Sequence, residues 1–206
     1  MPTEPLTLAT PPTPAYEIVA VAASAGGLTA LSELLAPLPA DFAATLVVVQ
    51  HLDPRHRSLL ADILSRRTRL KVKQAEEGET LHPATVYIAP PDRHLLITPG
   101  GMVSLTQSEL VHFVRPSADL LFESVAASYT ARAIAVVLTG TGSDGAMGVT
   151  AIKKTGGTVI VQDQASSEFF GMPGAAIQTG SADFILPLRE IAAALITLVG
   201  PQENSA

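Results

Sequence analysis

The chain has 206 residues, 47% of them hydrophobic and 16% charged, a composition typical of a folded globular protein. A formal net charge of −6 disfavours nucleic acid as a partner, and no apolar stretch reaches the roughly 20 residues that insertion into a membrane needs. The sequence has no cysteine, which excludes a disulfide, a thiol nucleophile and a thiolate metal site, and it shows no secretory signal. We therefore expect a cytoplasmic protein.

The two ends of the chain differ from its middle in composition. Residues 1–16 contain five prolines and no hydrophobic periodicity, so they are predicted to form a flexible tail. Residues 201–206 are predicted to be a disordered tail. Residues 17–200 form a single predicted domain, which is large enough to bury a substantial core.

Apolar segments rich in β-branched residues alternate along this domain with segments of helical periodicity. The predicted strands are 17–23, 45–50, 85–88, 133–138 and 158–161. The predicted helices start near Gly27, Ser58, Ala118, Met147, Pro173 and Pro187. This order predicts an α/β fold, namely a doubly wound, mostly parallel sheet with helices on both faces in a Rossmann-like three-layer arrangement. Residues 94–107 add a predicted antiparallel hairpin, because two short apolar runs flank Pro99-Gly100-Gly101.

Three of the predicted strands end in side chains that can do chemistry together. Ser24 follows the first strand, His51 follows the second, and Asp144 lies in the glycine-bearing loop after strand 133–138. Parallel strands point the same way, so the three side chains are expected to share the carboxyl edge of the sheet, where such folds bind ligands. A serine hydroxyl becomes nucleophilic when an imidazole takes its proton and a carboxylate orients that imidazole. The sequence therefore predicts a catalytic triad of Ser24, His51 and Asp144.

Each member of this set also has a simpler interpretation. Ser24 precedes a helix and is in a position typical of an N-cap, His51 could end its strand in solvent, and Asp144 precedes a glycine as turn residues do. Two other acids compete for the third role, since Asp53 lies close to His51 and Asp163 ends strand 158–161.

Parts of the sequence also offer groups suited to a metal site or a phosphate site. His51, Asp53 and His56 offer imidazole and carboxylate groups to a metal, but their spacing matches no zinc motif, and we expect no metal. The glycine loops "SAGG" and "GTGSDG" could hold phosphate groups, yet they lack the G-x-G-x-x-G spacing and a Walker lysine.

Several motifs, in one order over residues 17–195, resemble the catalytic domain of the chemotaxis receptor protein-glutamate methylesterases (CheB-type). They are "AASAGG", "VVVQHLDPRHRSLLADIL", "VYIAPPDRHLLI", "VRPSADLLFESVA", "VVLTGTGSDGAMG" and "FGMPGAAI". The resemblance implies Ser24 as nucleophile, His51 as base and Asp144 as its orienting acid. It also implies hydrolysis of γ-glutamyl methyl esters on the cytoplasmic helices of chemoreceptors, deamidation of receptor glutamines in some members, and no cofactor.

A further set of residues is predicted to assist the triad. Backbone N–H groups at Ala25 and in the Thr141-Gly142 loop are candidates to hold the oxyanion. The candidates for substrate contact are Arg55, Arg57, Arg115 and Met172. Alternatively, these arginines are solvated or paired with surface acids.

The sequence departs from the family pattern at Ala22, where glycine is usual, at Ala25, where threonine is usual, and at Thr141, where methionine is usual. These changes bear on rate and substrate choice rather than on the triad. Only the proline-rich tail precedes the first strand, so we expect a stand-alone member or one regulated by a separate protein. The alternative functions are a related esterase or deamidase of another sensory system, or a receptor-docking module without activity.

Overall fold

The computed structural model describes residues 16–51 and 58–200, which form one α/β domain around a parallel sheet. Its seven strands pair in the order β3-β4-β2-β1-β7-β8-β9, and every pairing is parallel. These strands are β1 (Ile18–Ala23), β2 (Thr45–Gln50), β3 (Lys71–Gln74), β4 (Thr85–Ile88), β7 (Ala133–Val137), β8 (Thr158–Gln162) and β9 (Phe184–Leu186). Two further strands, β5 (His94–Ile97) and β6 (Val103–Thr106), pair only with each other in an antiparallel hairpin.

In the described ranges, six α-helices cover both faces of the sheet. They are α1 (Gly27–Leu35), α2 (Leu60–Ser65), α3 (Ala118–Tyr129), α4 (Ala146–Lys154), α5 (Gly171–Gln178) and α6 (Leu188–Val199). The apolar sides of α1, α2 and α6 pack on one face, whereas α3, α4, α5 and the hairpin pack on the other. The arrangement is the predicted three-layer fold with an added hairpin.

The central strands are apolar along their whole length because both sides of the sheet are covered. In β1, Ile18, Ala20 and Ala22 contribute to one core and Val19 and Val21 to the other, as the alternation of side chains along a strand requires. All six residues of β1 are fully buried.

The predicted strand bounds and helix starts agree with the observed ones to within about two residues, and two strands were missed. β3 has half-exposed and exposed side chains with two lysines, and β9 has only three residues. Both are edge strands, which lack the continuous apolar run by which the buried strands were found. The predicted tails 1–16 and 201–206 lie outside the described residues except for Tyr16, whose hydroxyl hydrogen-bonds that of Thr158.

This topology brings three loops together. β2, β1 and β7 are neighbours in the sheet, so the loops that follow them leave the same edge side by side. The register places Ala23 opposite Gln50, and Ser24 and His51 are the residues that come next. In the described part of the chain, no helix is both long and apolar enough to cross a bilayer.

Candidate active site

A cleft of about 280 Å³ opens at the carboxyl edge of the sheet, above β1, β2 and β7. The three residues predicted to form a triad all line it. Its lining consists of Ser24, His51, His112, Val114, Thr141, Gly142, Ser143 and Asp144.

Ser24 is held at the floor of this cleft by its main chain. Its N–H donates to the carbonyl of Thr139 at 3.0 Å, and its own carbonyl accepts from Gly27 N–H at 2.8 Å. The cap position of α1 is Gly26, with no side-chain cap, so the Ser24 hydroxyl is not the helix cap that its position suggested. Within the described residues the hydroxyl has no hydrogen-bond partner, and it is therefore available to a substrate.

His51 is paired with Asp144. Its Nε2 lies 2.9 Å from Oδ2 of Asp144, and the imidazole is 14% exposed against 3% for the carboxylate. A nitrogen that faces a carboxylate carries the proton, so Nδ1 is the basic nitrogen of the neutral ring. The ring is thereby turned the opposite way from the usual triad, in which Nδ1 faces the acid.

Asp144 is fixed by the start of helix α3. Oδ2 also accepts from Ala118 N–H at 2.6 Å, and Oδ1 accepts from Asp119 N–H at 3.1 Å and from the Ser117 hydroxyl at 2.8 Å. Burial by itself raises the pKa of Asp144, but the bonds from His51, the two N–H groups and Ser117 outweigh it and hold the pKa below its ordinary value. The carboxyl is therefore ionised at neutral pH and stabilises a positive charge on His51.

Gly140 has no side chain, which lets Met172 and Ser24 both pack closely against it. A Cβ on Gly140 would lie 2.3 Å from the sulfur of Met172 and 2.8 Å from the Cβ of Ser24. Met172, a predicted substrate contact, is only 1% exposed and packs beneath the loop instead of lining the cleft. Its position under Gly140 makes it a support for the site.

In the described part of the chain, backbone N–H groups without a partner occur next to Ser24 in sequence and in the Thr141-Gly142 loop that lines the same cleft. Within the described residues, the N–H groups of Ala25, Thr141 and Gly142 make no hydrogen bond. The Ala25 carbonyl, which belongs to the next peptide, accepts from the Thr139 hydroxyl at 3.0 Å. Backbone donors of this kind close to a serine hydroxyl are suited to hold an oxyanion.

A second imidazole–carboxylate pair lies beside the first. His112 Nε2 is 3.1 Å from Oδ2 of Asp119, whose Oδ1 accepts from Gly148 N–H at 2.7 Å. Burial raises the pKa of Asp119, and the nearby charge of Asp144 adds to this effect. His112 lies in a tight turn between Val111 and Val114 with a φ of 49°, and it reaches the cleft through that turn. The sequence analysis did not identify this pair.

Arg115 does not point into the cleft. Its Nε and Nη2 donate to Oδ1 of Asp92 at 2.9 and 2.6 Å, and its Nη1 donates to the carbonyls of Gln107 and Ser108. Arg115 is therefore paired with an acid, Asp92, as the alternative interpretation of the arginines predicted. Arg55 and Arg57, together with the rival groups Asp53 and His56, lie outside the described residues.

The other rival acid, Asp163, serves its own loop. Its Oδ1 accepts from the N–H and hydroxyl of Ser166, at 2.9 and 2.7 Å. It lines a larger cavity of about 440 Å³ on the α1 and α6 side, whose lining includes none of the three residues predicted to form the triad. Among residues 16–51 and 58–200, no three His, Asp or Glu side chains are grouped to hold a metal ion.

Two residues that organise the site were missed from the sequence. Ser117 caps α3 and also donates to Asp144. A serine directly before a predicted helix is a cap signal that could have been noted, although its second partner depends on the fold. Gln50 is a polar residue at the end of a buried strand, which is itself an unusual place for an amide.

The fold and the cleft together define the class of the chain as an α/β enzyme with the groups of a carboxylic ester hydrolase. A family model described as CheB methylesterase matches residues 19–195, and the chain belongs to that family. The crystal structure of the Thermotoga maritima CheB methylesterase catalytic domain is similar, with a TM-score of 0.86 and 41% identity over 89% of this chain and 99% of that one.

Curated relatives extend the comparison. A Cupriavidus metallidurans protein named protein-glutamate methylesterase/protein-glutamine glutaminase 2 is 43% identical over 95% of this chain. Protein-glutamate methylesterase FrzG of Myxococcus xanthus is 43% identical over 91% of it. The chain spans 58% and 56% of these two relatives, but 95% of a Leptospira interrogans relative that is 41% identical over 89% of this chain.

Proposed function

We propose that the domain formed by residues 17–200 is a serine hydrolase that removes methyl groups from γ-glutamyl methyl esters of chemoreceptors. The observation that carries the proposal is the cleft in which Ser24 shares a surface with an imidazole whose Nε2 is bound to a buried, ionised carboxylate. The names of the relatives supply the ester as substrate.

The first half of the reaction forms an acyl-enzyme. Oγ of Ser24 attacks the ester carbonyl while Nδ1 of His51 takes its proton, and the Asp144 carboxylate stabilises the resulting imidazolium. The N–H groups of Ala25 and of the Thr141-Gly142 loop hold the oxyanion. The tetrahedral intermediate then collapses, and methanol leaves with the proton from His51.

The second half of the reaction restores the enzyme. His51 takes a proton from water, the resulting hydroxide attacks the acyl carbonyl, and the glutamate side chain is released as Ser24 regains its proton. No step needs a metal or an organic cofactor, because the imidazole, the carboxylate and the backbone donors supply every proton transfer and charge contact.

Deamidation of receptor glutamines is a second candidate activity. The Cupriavidus relative carries glutaminase in its name. The same acyl-enzyme forms from an amide, with ammonia in place of methanol as leaving group. The amide nitrogen of the tetrahedral intermediate leaves as ammonia only after it has gained a proton, so this reaction depends more strongly on proton donation by His51.

The proposed partners are the methylated helices in the cytoplasmic part of a chemoreceptor, and the proposed place of action is the cytoplasm. A regulatory protein that controls access to the cleft is a further proposed partner. The two alternative functions are a related esterase of another sensory system and a docking module without activity. Each of them predicts a result in the assay below that differs from the result expected for this proposal.

The test is an assay of methanol and ammonia release from receptor fragments that carry defined methyl-glutamate or glutamine residues. The proposal predicts methanol release by the wild type and none above background by Ser24→Ala or His51→Gln. Ammonia release from glutamine in the same fragment would add the glutaminase. Binding of the fragment without release of either product would replace the proposal with the docking module.

A further inference from the structure

Gln50, the last residue of β2, joins the main chains of the two residues that exchange a proton. The residue is only 6% exposed, and Nε2 donates to the carbonyl of Ser24 at 2.8 Å and to the carbonyl of His51 at 3.1 Å. Both hydrogens of the amide are thus used. One side chain connects the loop after β1 to the loop after β2.

This connection lies where the sheet itself ends. Within the described residues, the last ladder bond between the two strands runs from His51 N–H to the carbonyl of Ala23 at 3.2 Å. Within the described residues, the Ser24 hydroxyl and His51 form no hydrogen bond to each other. The spacing between the nucleophile and its base is therefore set by their main chains rather than by direct contact of their side chains.

The orientation of the Gln50 amide is fixed by two observations. Both of its Nε2 partners are carbonyl oxygens, which can only accept, so the amide cannot be turned over without losing both bonds. Oε1 has no hydrogen-bond partner among the residues that the structure describes, and it lies 1.9 Å from the point where a Cβ on Gly27 would stand. Residue 27 therefore has to be glycine for the amide to reach the two carbonyls.

We infer that Gln50 is a positioning residue for the hydrolytic reaction, which sets the distance between Ser24 and His51 through their backbone carbonyls and is seated by the absence of a side chain at Gly27. The inference rests on the proposed function, because it assigns Gln50 a role in the proton transfer between those two residues. An error of about 1 Å in such a distance costs about 10²-fold in rate.

The first test replaces the amide with a side chain of similar length that has no donor. Gln50→Met is expected to lower kcat about 10- to 100-fold while KM stays within threefold, because the substrate still binds but the proton transfer is misaligned. The matched control is Thr68→Val, which removes a hydrogen bond of 2.8 Å to the carbonyl of Leu35 at the end of α1, away from the cleft. The control is expected to lower Tm without changing kcat.

The second test is a double-mutant cycle. Gly27→Ala puts a methyl group where Oε1 lies and is expected to reproduce the fall in kcat although the amide is still present. Gln50→Ala removes the two atoms nearest to the new methyl, Oε1 at 1.9 Å and Cδ at 2.8 Å, and the next nearest is the Ala23 Cβ at 3.0 Å. The double variant Gln50→Ala/Gly27→Ala is therefore expected to be no slower than Gln50→Ala alone, within threefold.

A readout that does not need the natural substrate separates this inference from the proposed function. Phosphonylation of Ser24 by an alkyl fluorophosphonate, followed by peptide mass spectrometry, forms the Oγ–P bond with loss of fluoride and needs the same base. The same fall in rate is expected for Gln50→Met and Gly27→Ala. If the wild type is labelled but releases no methanol, the proposed substrate is wrong. The labelling rates of the variants still measure the effect of Gln50 on the reactivity of Ser24.

Four results would overturn the inference. The first is a Gln50→Met enzyme with a kcat within threefold of wild type, and the second is a Thr68→Val enzyme whose activity falls as far as that of Gln50→Met at an equal loss of Tm. The third is a double variant whose loss in kcat is the product of the losses in Gln50→Ala and Gly27→Ala. The fourth is a wild-type Ser24 that the fluorophosphonate does not label.

Discussion

Nε2 of His51 and Oδ2 of Asp144 lie 2.9 Å apart, and both atoms are set by elements outside the loops that carry these residues. The carboxylate is held by the first N–H groups of α3 and by its cap Ser117. His51 directly follows β2, and Nε2 of Gln50, the last residue of that strand, donates to the His51 carbonyl. The central strands and the start of one helix therefore fix the carboxylate of Asp144 and the imidazole of His51 in the absence of any substrate.

Asp144→Asn is expected to lower kcat about 10³- to 10⁴-fold, since an amide no longer stabilises the imidazolium or fixes its tautomer. It is also expected to destabilise the fold by about 1–3 kcal/mol, because the amide nitrogen would face donors that now bond a carboxylate oxygen. The measurements are steady-state methanol release and urea unfolding at pH 7.

The loss of stability in Asp144→Asn should depend on pH. The pKa of Asp144 is lowered in the fold, so its contribution to stability is present above the unfolded pKa of about 3.9 and is lost as pH falls through the folded value. The difference in unfolding free energy between the wild type and the variant should therefore shrink below about pH 4. A difference that stays constant or grows with acid would contradict this assignment.

Asp119→Asn is expected to have the opposite dependence on pH. Burial and the charge of Asp144 raise the pKa of Asp119, so the folded protein keeps this proton to a higher pH than the unfolded chain does. The wild type should lose stability relative to the variant as pH rises above about 4, and the difference should level off above the folded pKa. The amide oxygen of asparagine can still accept from Gly148 N–H.

Urea unfolding of both proteins between pH 4 and pH 8 measures this difference. A wild type that gains stability over Asp119→Asn as the pH rises would show that His112 and the Gly148 N–H dominate over burial, contrary to the structure.

Gly140→Ala is expected to lower kcat by at least 10-fold. The added methyl would stand 2.3 Å from the sulfur of Met172 and 2.8 Å from the Cβ of Ser24, so the nucleophile or the helix beneath it must move. The matched control is Gly100→Ala in the distant hairpin, where the nearest atom is 3.9 Å away. Methanol release by the two variants makes the comparison, and equal activity would show that the contact at Ser24 is unimportant.

Much of this architecture could be predicted because it depends on local patterns. The buried strands β2 and β4 were bounded correctly from their apolar runs, and the glycine-bearing turn predicted the hairpin. β3 was missed because Lys71 and Lys73 alternate with single apolar residues on a half-exposed edge. Its place in the sheet follows from the parallel pairing with β4, which no local pattern reveals.

In the candidate site, too, some features follow from local sequence patterns and others depend on tertiary packing. Strand ends predicted that Ser24, His51 and Asp144 would share one edge, and the structure brings all three to one cleft. Which nitrogen faces Asp144, and the bonds from Ser117 and Asp119, depend on how α3 packs against that edge. Arg115 was a candidate for substrate contact because sequence alone does not reveal Asp92 as its partner, 23 positions earlier in the chain.

The most direct test of the central claim compares methanol release from a methylated receptor fragment by the wild type and by Ser24→Ala at equal concentration. The Ser24 hydroxyl has no hydrogen-bond partner in the described part of the chain, so the variant is expected to keep the Tm of the wild type. The folded variant is expected to release methanol at least about 10⁴-fold more slowly than the wild type. A folded Ser24→Ala protein that releases methanol at the wild-type rate would contradict it.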